Sequence, residues 1–138
     1  MTRPHDTPHP KVQLRLNATW LTLCDLSALT PGRGVAALLP DGRQAAVFRD
    51  RTGRTYAIDN RDPFSGAAVL SRGLTGSHQG RPFVASPLLK QRFDLESGRC
   101  LDDETVTVTT YEVRTYEVET YGVETYEAGA HRHGARIL

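Results

Sequence analysis

The sequence predicts an all-β domain, built as a small sandwich or barrel with short helical turns. Three observations support this prediction. Short β-prone runs recur along the chain, turn signals separate them, and no segment shows the period of a long helix. The chain has 138 residues, which is enough for one domain with its own core and two short tails.

The predicted strands follow one another through the middle of the chain. They comprise residues 20–24, 34–39, 44–49, 55–59, 82–85, 92–95 and 105–109. The Asp41-Gly42 dipeptide predicts a hairpin turn between two of them, because glycine adopts a positive φ without steric cost. Residues 25–29 predict one helical turn ahead of a loop.

The two ends of the chain differ in composition from the middle. We expect residues 1–16 to form a flexible N-terminal arm, since prolines and histidines are concentrated there. Residues 17–121 then form the β domain. Residues 122–138 form a C-terminal tail that holds part of a repeat, ends in a basic stretch and is partly disordered.

A five-residue repeat of the Tyr-Glu-Val-x-Thr type begins at Tyr111 and recurs at Tyr116, Tyr121 and Tyr126. Because five is odd, successive tyrosines on a straight strand point to opposite faces. We expect the first copies to form the last strands of the domain, with a turn or bulge between them. The later copies then add an edge strand or stay loose. The alternative is a slippage duplication without a role.

Composition excludes several classes of protein. The formal net charge is +1 with scattered basic residues, so nothing favours binding to nucleic acid or to an anionic membrane. No apolar run approaches the roughly 18 residues of a membrane span, and the start has no apolar core of a signal peptide. We therefore expect a cytoplasmic protein. Cys24 and Cys100 are too few for a disulfide framework.

Two proline-containing loops carry the most specific pattern. The first is Asn60-Arg-Asp-Pro-Phe-Ser-Gly66, and the second is Ser86-Pro-Leu-Leu89, followed by Phe93-Asp-Leu-Glu-Ser-Gly-Arg-Cys100. Their frame resembles the Rieske domain. In that family, N-x-C-P-H-x-G and C-P-x-H loops, the second followed by F-D-L-x-x-G-x-C, hold a [2Fe–2S] cluster by two thiolates and two imidazoles.

All four ligand positions of that pattern carry other residues here. The cysteine positions hold Asp62 and Ser86, and the histidine positions hold Phe64 and Leu89. The resemblance therefore implies a Rieske-like domain that binds no cluster. We expect Phe64 and Leu89 to pack together where the cluster would lie. We expect Asp62 and Ser86 to accept hydrogen bonds from loop amides.

A Rieske-like domain without ligands resembles the small subunit of assimilatory NAD(P)H nitrite reductase. The similarity covers about residues 17–115, and its motifs are residues 62–65, 69–73 and 86–95, with the strands at Trp20 and Ala46. In that family the large subunit carries siroheme, flavin (FAD) and an iron–sulfur cluster, and uses NAD(P)H to reduce nitrite to ammonium. The resemblance implies that this chain has no catalytic residues and supports the large subunit.

Loop surfaces on a rigid β scaffold are common contact sites, so the partner-binding residues are expected on the two loops. The candidates are Asn60, Asp62, Phe64, Arg72, Lys90 and Gln91. For some of them a purely structural role remains open, since Asn60 and Asp62 also suit turns and Lys90 also suits a solvated surface.

Two other functions compete with this interpretation. A Rieske electron carrier requires the four ligands, and the residues at those positions exclude it. A stand-alone Rieske-like binding or regulatory module without a redox role stays open, because the sequence alone does not identify the partner.

Overall fold

The computed structural model describes residues 9–118 and 134–138, and it confirms the all-β prediction. The strands are β1 (His9–Leu16), β2 (Thr19–Asp25), β3 (Gly34–Leu38), β4 (Gln44–Arg49), β5 (Thr55–Asp59), β6 (Leu74–His78), β7 (Arg81–Ala85), β8 (Arg92–Asp94), β9 (Thr110–Tyr111), β10 (Val113–Val118) and β11 (Arg136–Ile137). The short helical turns are 3₁₀ helices at Leu26–Ala28 and Leu70–Arg72. Within these residues no helix has the length and apolarity needed to cross a membrane.

The strands form three antiparallel sheets. Their orders are β10-β1-β2 for the first sheet, β11-β3-β4-β5-β9 for the second and β6-β7-β8 for the third. Strand β4 lies in the middle of the second sheet and is buried on both faces. Ala45 and Val47 face a core shared with the first sheet, whereas Ala46 and Phe48 face a core shared with the third. The second sheet is therefore the middle layer of the fold.

Two details in the second half of the chain differ from the sequence prediction. Residues 105–109 form a turn and an extended segment with one isolated bridge at Thr107, rather than a strand. The backbone of Val108 donates to Gly98 O at 2.9 Å, so this segment pairs with a loop instead of a neighbouring strand. Strand β6 was not predicted, because its exposed small and polar residues lack a β-type alternation.

The predicted N-terminal arm is wrong for residues 9–16, which form β1. Val12 and Leu14 are fully buried in the first core. The prolines that suggested an arm are compatible with the strand, because Pro10 pairs only with β10 and precedes the part that also pairs with β2. Residues 1–8 lie outside the described residues.

The predicted C-terminal tail is wrong for its last residues, which form the edge strand β11. Arg136 and Ile137 pair with Leu38 and Ala37 of β3, and Ala135 is 3% exposed. The prediction rested on composition, and composition does not report pairing with a distant strand. The rest of the predicted tail, residues 122–133, lies outside the described residues.

The first copies of the repeat form β9 and β10, as predicted. Tyr111 packs against the first core, whereas Tyr116 is 46% exposed. The two tyrosines lie on different strands in different sheets, so the rule for a straight strand does not apply to them. The strand interruption falls at Glu112, inside the first copy rather than between copies. The copies that begin at Tyr121 and Tyr126 lie outside the described residues.

The turn after β8 is held by Asp94, which is 3% exposed. Arg81 donates through Nε at 2.6 Å and through a terminal nitrogen at 3.0 Å, and the amides of Glu96 and Ser97 each donate at 2.8 Å. Burial raises the pKa of the Asp94 carboxyl, but the hydrogen bonds from Arg81 and from the two amides outweigh burial. The pKa therefore lies below its usual range.

We expect Asp94→Asn to lower the urea midpoint at pH 7 and to weaken the fall of stability in acid. The depressed pKa stabilises the fold above the unfolded-state value of about 4, and this stabilisation is lost as the pH falls through the folded-state value. Urea titrations between pH 7 and pH 2 measure both effects. The control is Asp41→Asn, because Asp41 also pairs with an arginine but lies in an exposed turn. An unchanged acid profile in Asp94→Asn would contradict the prediction.

Candidate functional site

The two loops identified in the sequence meet at one end of the fold. The first loop, residues 60–69, follows β5 of the second sheet, and the second loop, residues 86–91, follows β7 of the third sheet. These two sheets enclose the second core, so both loops cross the same end of it.

Asn60 fixes the start of the first loop and is 1% exposed. Its Nδ2 donates to Gln44 Oε1 at 3.0 Å, and its Oδ1 accepts from the amide of Ser71 at 2.7 Å. The Leu70 amide also donates to the Asn60 carbonyl at 3.0 Å. Asn60 thus joins β4, the first loop and the second 3₁₀ helix. These bonds give the buried Asn60 side chain a structural part at this end of the fold.

Asp62 and Ser86 join the two loops directly. The Ser86 hydroxyl donates to Asp62 Oδ2 at 2.6 Å. Both side chains are buried, since Ser86 is 2% exposed and Asp62 is 0% exposed. Asp62 Oδ1 accepts from the Phe64 amide at 2.8 Å, and Ser86 Oγ accepts from the Leu88 amide at 3.3 Å. The predicted bonds to loop amides are confirmed. The bond between the loops was not predicted.

Each loop also closes on its own backbone. In the first loop, the amide of Asp62 donates to Ala67 O at 2.8 Å, and the amide of Gly66 donates to Asp62 O at 2.7 Å. In the second loop, the amide of Ser86 donates to Gln91 O at 2.9 Å, and that of Lys90 donates to Ser86 O at 3.0 Å. Lys90 adopts a φ of 67° to complete this turn. The loops are therefore compact turns with defined exposed tips.

The predicted packing of Phe64 against Leu89 is wrong. Phe64 turns inward against the second core, with its ring centroid 6.2 Å from that of Phe93. Leu89 is 51% exposed. The second loop closes from Ser86 to Gln91, which leaves the intervening side chains outside the turn. The polar Asp62–Ser86 pair, and not an apolar pair, closes the loops.

The four side chains at the family's ligand positions do not suit a [2Fe–2S] cluster. Such a cluster needs thiolates and, in this fold, two imidazoles, whereas Asp62 and Ser86 bond to each other and Phe64 and Leu89 offer only carbon. Over the part of the chain that the structure describes, no group of three or more His, Cys, Asp or Glu side chains is arranged to hold a metal ion.

The remaining candidate contact residues lie at or near the surface. Arg72 and Lys90 are exposed, and neither forms an ion pair with the described residues. Phe64 and Gln91 are half-buried, and Gln91 Oε1 is buried without a hydrogen-bond partner among the described residues. Asp62, like Asn60, is buried in the isolated chain, so its candidate role as a contact stays a prediction that would require the loop to open.

Two residues that sequence reasoning did not select are the most exposed apolar side chains at this end. Leu74 is 78% exposed and Leu88 is 53% exposed. Leu74 pairs with Ala85, the residue that immediately precedes the second loop. The available signal was the Leu88-Leu89 pair, since consecutive apolar residues after a proline in a surface turn have no obvious core role.

Comparisons with known proteins agree with this architecture. Residues 19–123 match the model of the Rieske-like [2Fe-2S] domain. The chain is 48% identical over 94 residues to the nitrite reductase (NADH) small subunit of Salmonella typhimurium, an alignment that covers 67% of this chain and 86% of the relative. A crystal structure from Mycobacterium tuberculosis, of a protein proposed to be the small subunit of an NADH-dependent nitrite reductase, superposes with a TM-score of 0.64. It is 45% identical, with 79% of this chain and 88% of that one covered.

A further relative carries the same segment inside a much longer protein. The nitrite reductase [NAD(P)H] large subunit of Klebsiella oxytoca is 48% identical over 83 residues, which cover 60% of this chain and 8% of that protein. The chain matches most of the length of these small-subunit relatives in sequence and in fold. The chain is a Rieske-like domain protein and belongs to the family of nitrite reductase small subunits.

Proposed function

We propose that this chain is the non-redox small subunit of an assimilatory NAD(P)H-dependent nitrite reductase. It binds the large subunit, which reduces nitrite to ammonium, and either stabilises that subunit or shapes its electron-transfer path. One observation carries the non-redox part of the proposal. The buried Asp62–Ser86 hydrogen bond stands where the fold family places cluster thiolates, so the loops close without a metal.

The Klebsiella oxytoca relative supports the choice of partner. A segment similar to this chain is part of a polypeptide named as the large subunit, so the two components are covalently joined there. A domain that another organism keeps attached to its reductase is best understood, when separate, as a partner of the same reductase. This relative favours a subunit over a stand-alone regulatory module.

The proposal assigns every cofactor to the large subunit. Siroheme, FAD, an iron–sulfur cluster and the NAD(P)H site belong there, and this chain binds none of them. The assembled enzyme works in the cytoplasm. The candidates kept as contacts are Phe64, Lys90 and Gln91 on the loops and Arg72 at the end of the second 3₁₀ helix, since their side chains reach or approach the surface.

Purification of the chain alone and with its large subunit tests both parts of this proposal. We expect the isolated chain to be colourless, with iron far below one atom per chain. We expect the tagged chain to retain the large subunit on an affinity column and to raise its nitrite-dependent NAD(P)H oxidation. A brown sample with stoichiometric iron would overturn the non-redox assignment. Failure to retain the large subunit would overturn the assignment of the partner.

A further inference from the structure

Three exposed leucines lie at the loop end of the third sheet. Leu88 and Leu89 occupy the tip of the second loop, and Leu74 begins β6 opposite Ala85. Their exposed fractions are 53%, 51% and 78%. Large apolar side chains clustered on a surface mark an interaction site more often than isolated ones do. We call these three residues the leucine patch.

The segment that carries this patch has an excess of positive charge. Between residues 60 and 93 the only acidic residue is Asp62, which is fully buried, whereas the segment holds five arginines and lysines. Arg81 pairs with Asp94, and Arg92 pairs with Asp102. The other three cations are Arg61, Arg72 and Lys90. None of them forms an ion pair with the described residues.

Two of these cations are adjacent to the leucines in the chain. Lys90 follows Leu89 directly, and Arg72 precedes Leu74 by two residues, at the end of a 3₁₀ helix. The segment around Gly73 is held tightly against β7, because a Cβ at Gly73 would lie only 2.2 Å from Ala85 O. The apolar and basic groups are therefore displayed on a rigid support.

We infer that the leucine patch and its cations form the docking surface for the large subunit. The complementary surface is apolar at its centre and carries aspartate and glutamate at its rim. This inference rests on the proposed function and adds the location and the chemistry of the contact. It moves the interface from the buried Asn60 and Asp62 to side chains that a partner can reach.

Binding of the full-length chain to the purified large subunit tests the inference. We expect Leu88→Ser/Leu89→Ser to raise the Kd at least tenfold, because the double variant removes the apolar centre without altering the backbone bonds of the turn. We expect Arg72→Glu and Lys90→Glu to raise the Kd as well. Both charge variants should also reduce the dependence of binding on salt.

Matched controls are available elsewhere on the surface. Leu138 is 59% exposed directly after β11 of the second sheet, and Arg51 is exposed in the turn between β4 and β5. Leu138→Ser and Arg51→Glu should bind like wild type. A folded Leu88→Ser/Leu89→Ser variant with the wild-type Kd would overturn the docking surface while leaving the subunit assignment intact. The docking surface would also be overturned if this double variant abolished only the self-association of the chain and still bound the large subunit with the wild-type Kd. Absence of binding by the wild type would overturn the proposed function itself.

Discussion

Gly73→Ala is expected to destabilise the fold by about 3 kcal/mol, which is at the upper end of what overpacking commonly costs. The backbone at Gly73 is extended and unstrained, with a φ of −73°. The penalty comes entirely from space, since an added Cβ would lie 2.2 Å from Ala85 O and 2.6 Å from Val84 Cγ2. Relief requires β6 to separate from β7, and the backbone on both sides resists that movement.

Gly80→Ala, in the same hairpin, is the matched control. Gly80 lies in the turn between β6 and β7 with a φ of 76°, and an added Cβ would meet nothing within 4 Å. Its expected cost is about 1 kcal/mol, because left-handed strain is partly offset by the reduced entropy of the unfolded chain. Urea denaturation of both variants separates the cost of steric overlap at Gly73 from the cost of left-handed backbone strain at Gly80. Equal losses of stability would contradict the steric explanation for Gly73.

Local sequence signals were sufficient for the centre of the second sheet. Strands β4 and β5 have the predicted bounds, because turn residues delimit both runs on each side. The same signals failed at the two ends of the chain. Strand β1 depends on neighbours on both sides, and β11 depends on pairing with β3, which is nearly a hundred residues away in the sequence. Pairing over such distances leaves no local trace.

The candidate site was predictable in its position but not in its internal contacts. The loop frame identified the residues that come together, and the turn propensities of Asp62 and Ser86 indicated their bonds to nearby amides. The orientation of Leu89 was not predictable, because it follows from how tightly the second loop closes on Ser86. The inaccessibility of Asn60 was equally hidden, since its partners Gln44 and Ser71 are distant in sequence.

These contacts explain how a fold built around a cluster can close without one. A vacant cluster site would leave buried loop amides without acceptors and two loops without a connection. Asp62 provides an acceptor for the Phe64 amide and binds the second loop through Ser86, while Phe64 covers the second core beside Phe93. The tip of the second loop then has no internal role, and its leucines are available to a partner.

Asp62→Ala is expected to destabilise the chain by about 2 to 4 kcal/mol. The substitution leaves the Phe64 amide and the buried Ser86 hydroxyl without their hydrogen-bond partner, and an unsatisfied buried group costs about 1–3 kcal/mol. Asp62→Asn is the conservative control. Its amide oxygen still accepts from Phe64, and its NH₂ group donates to the Ser86 oxygen, so it should retain most of the stability. Urea midpoints with unchanged m-values provide the measurement.

The contact between the loops is separable from these local bonds by a double-mutant cycle. Ser86→Ala removes the hydroxyl that Asp62 Oδ2 accepts from, but it leaves the bond from the Phe64 amide to Asp62 Oδ1 in place. If the two loops depend on this one bond, the loss in Asp62→Ala/Ser86→Ala is smaller than the sum of the single losses by about 0.5–3 kcal/mol, the range found for residues in direct contact. Strictly additive losses would mean that Asp62 and Ser86 each stabilise only their own loop. The site would then be held closed by the second core, and the polar pair would be a consequence of that closure.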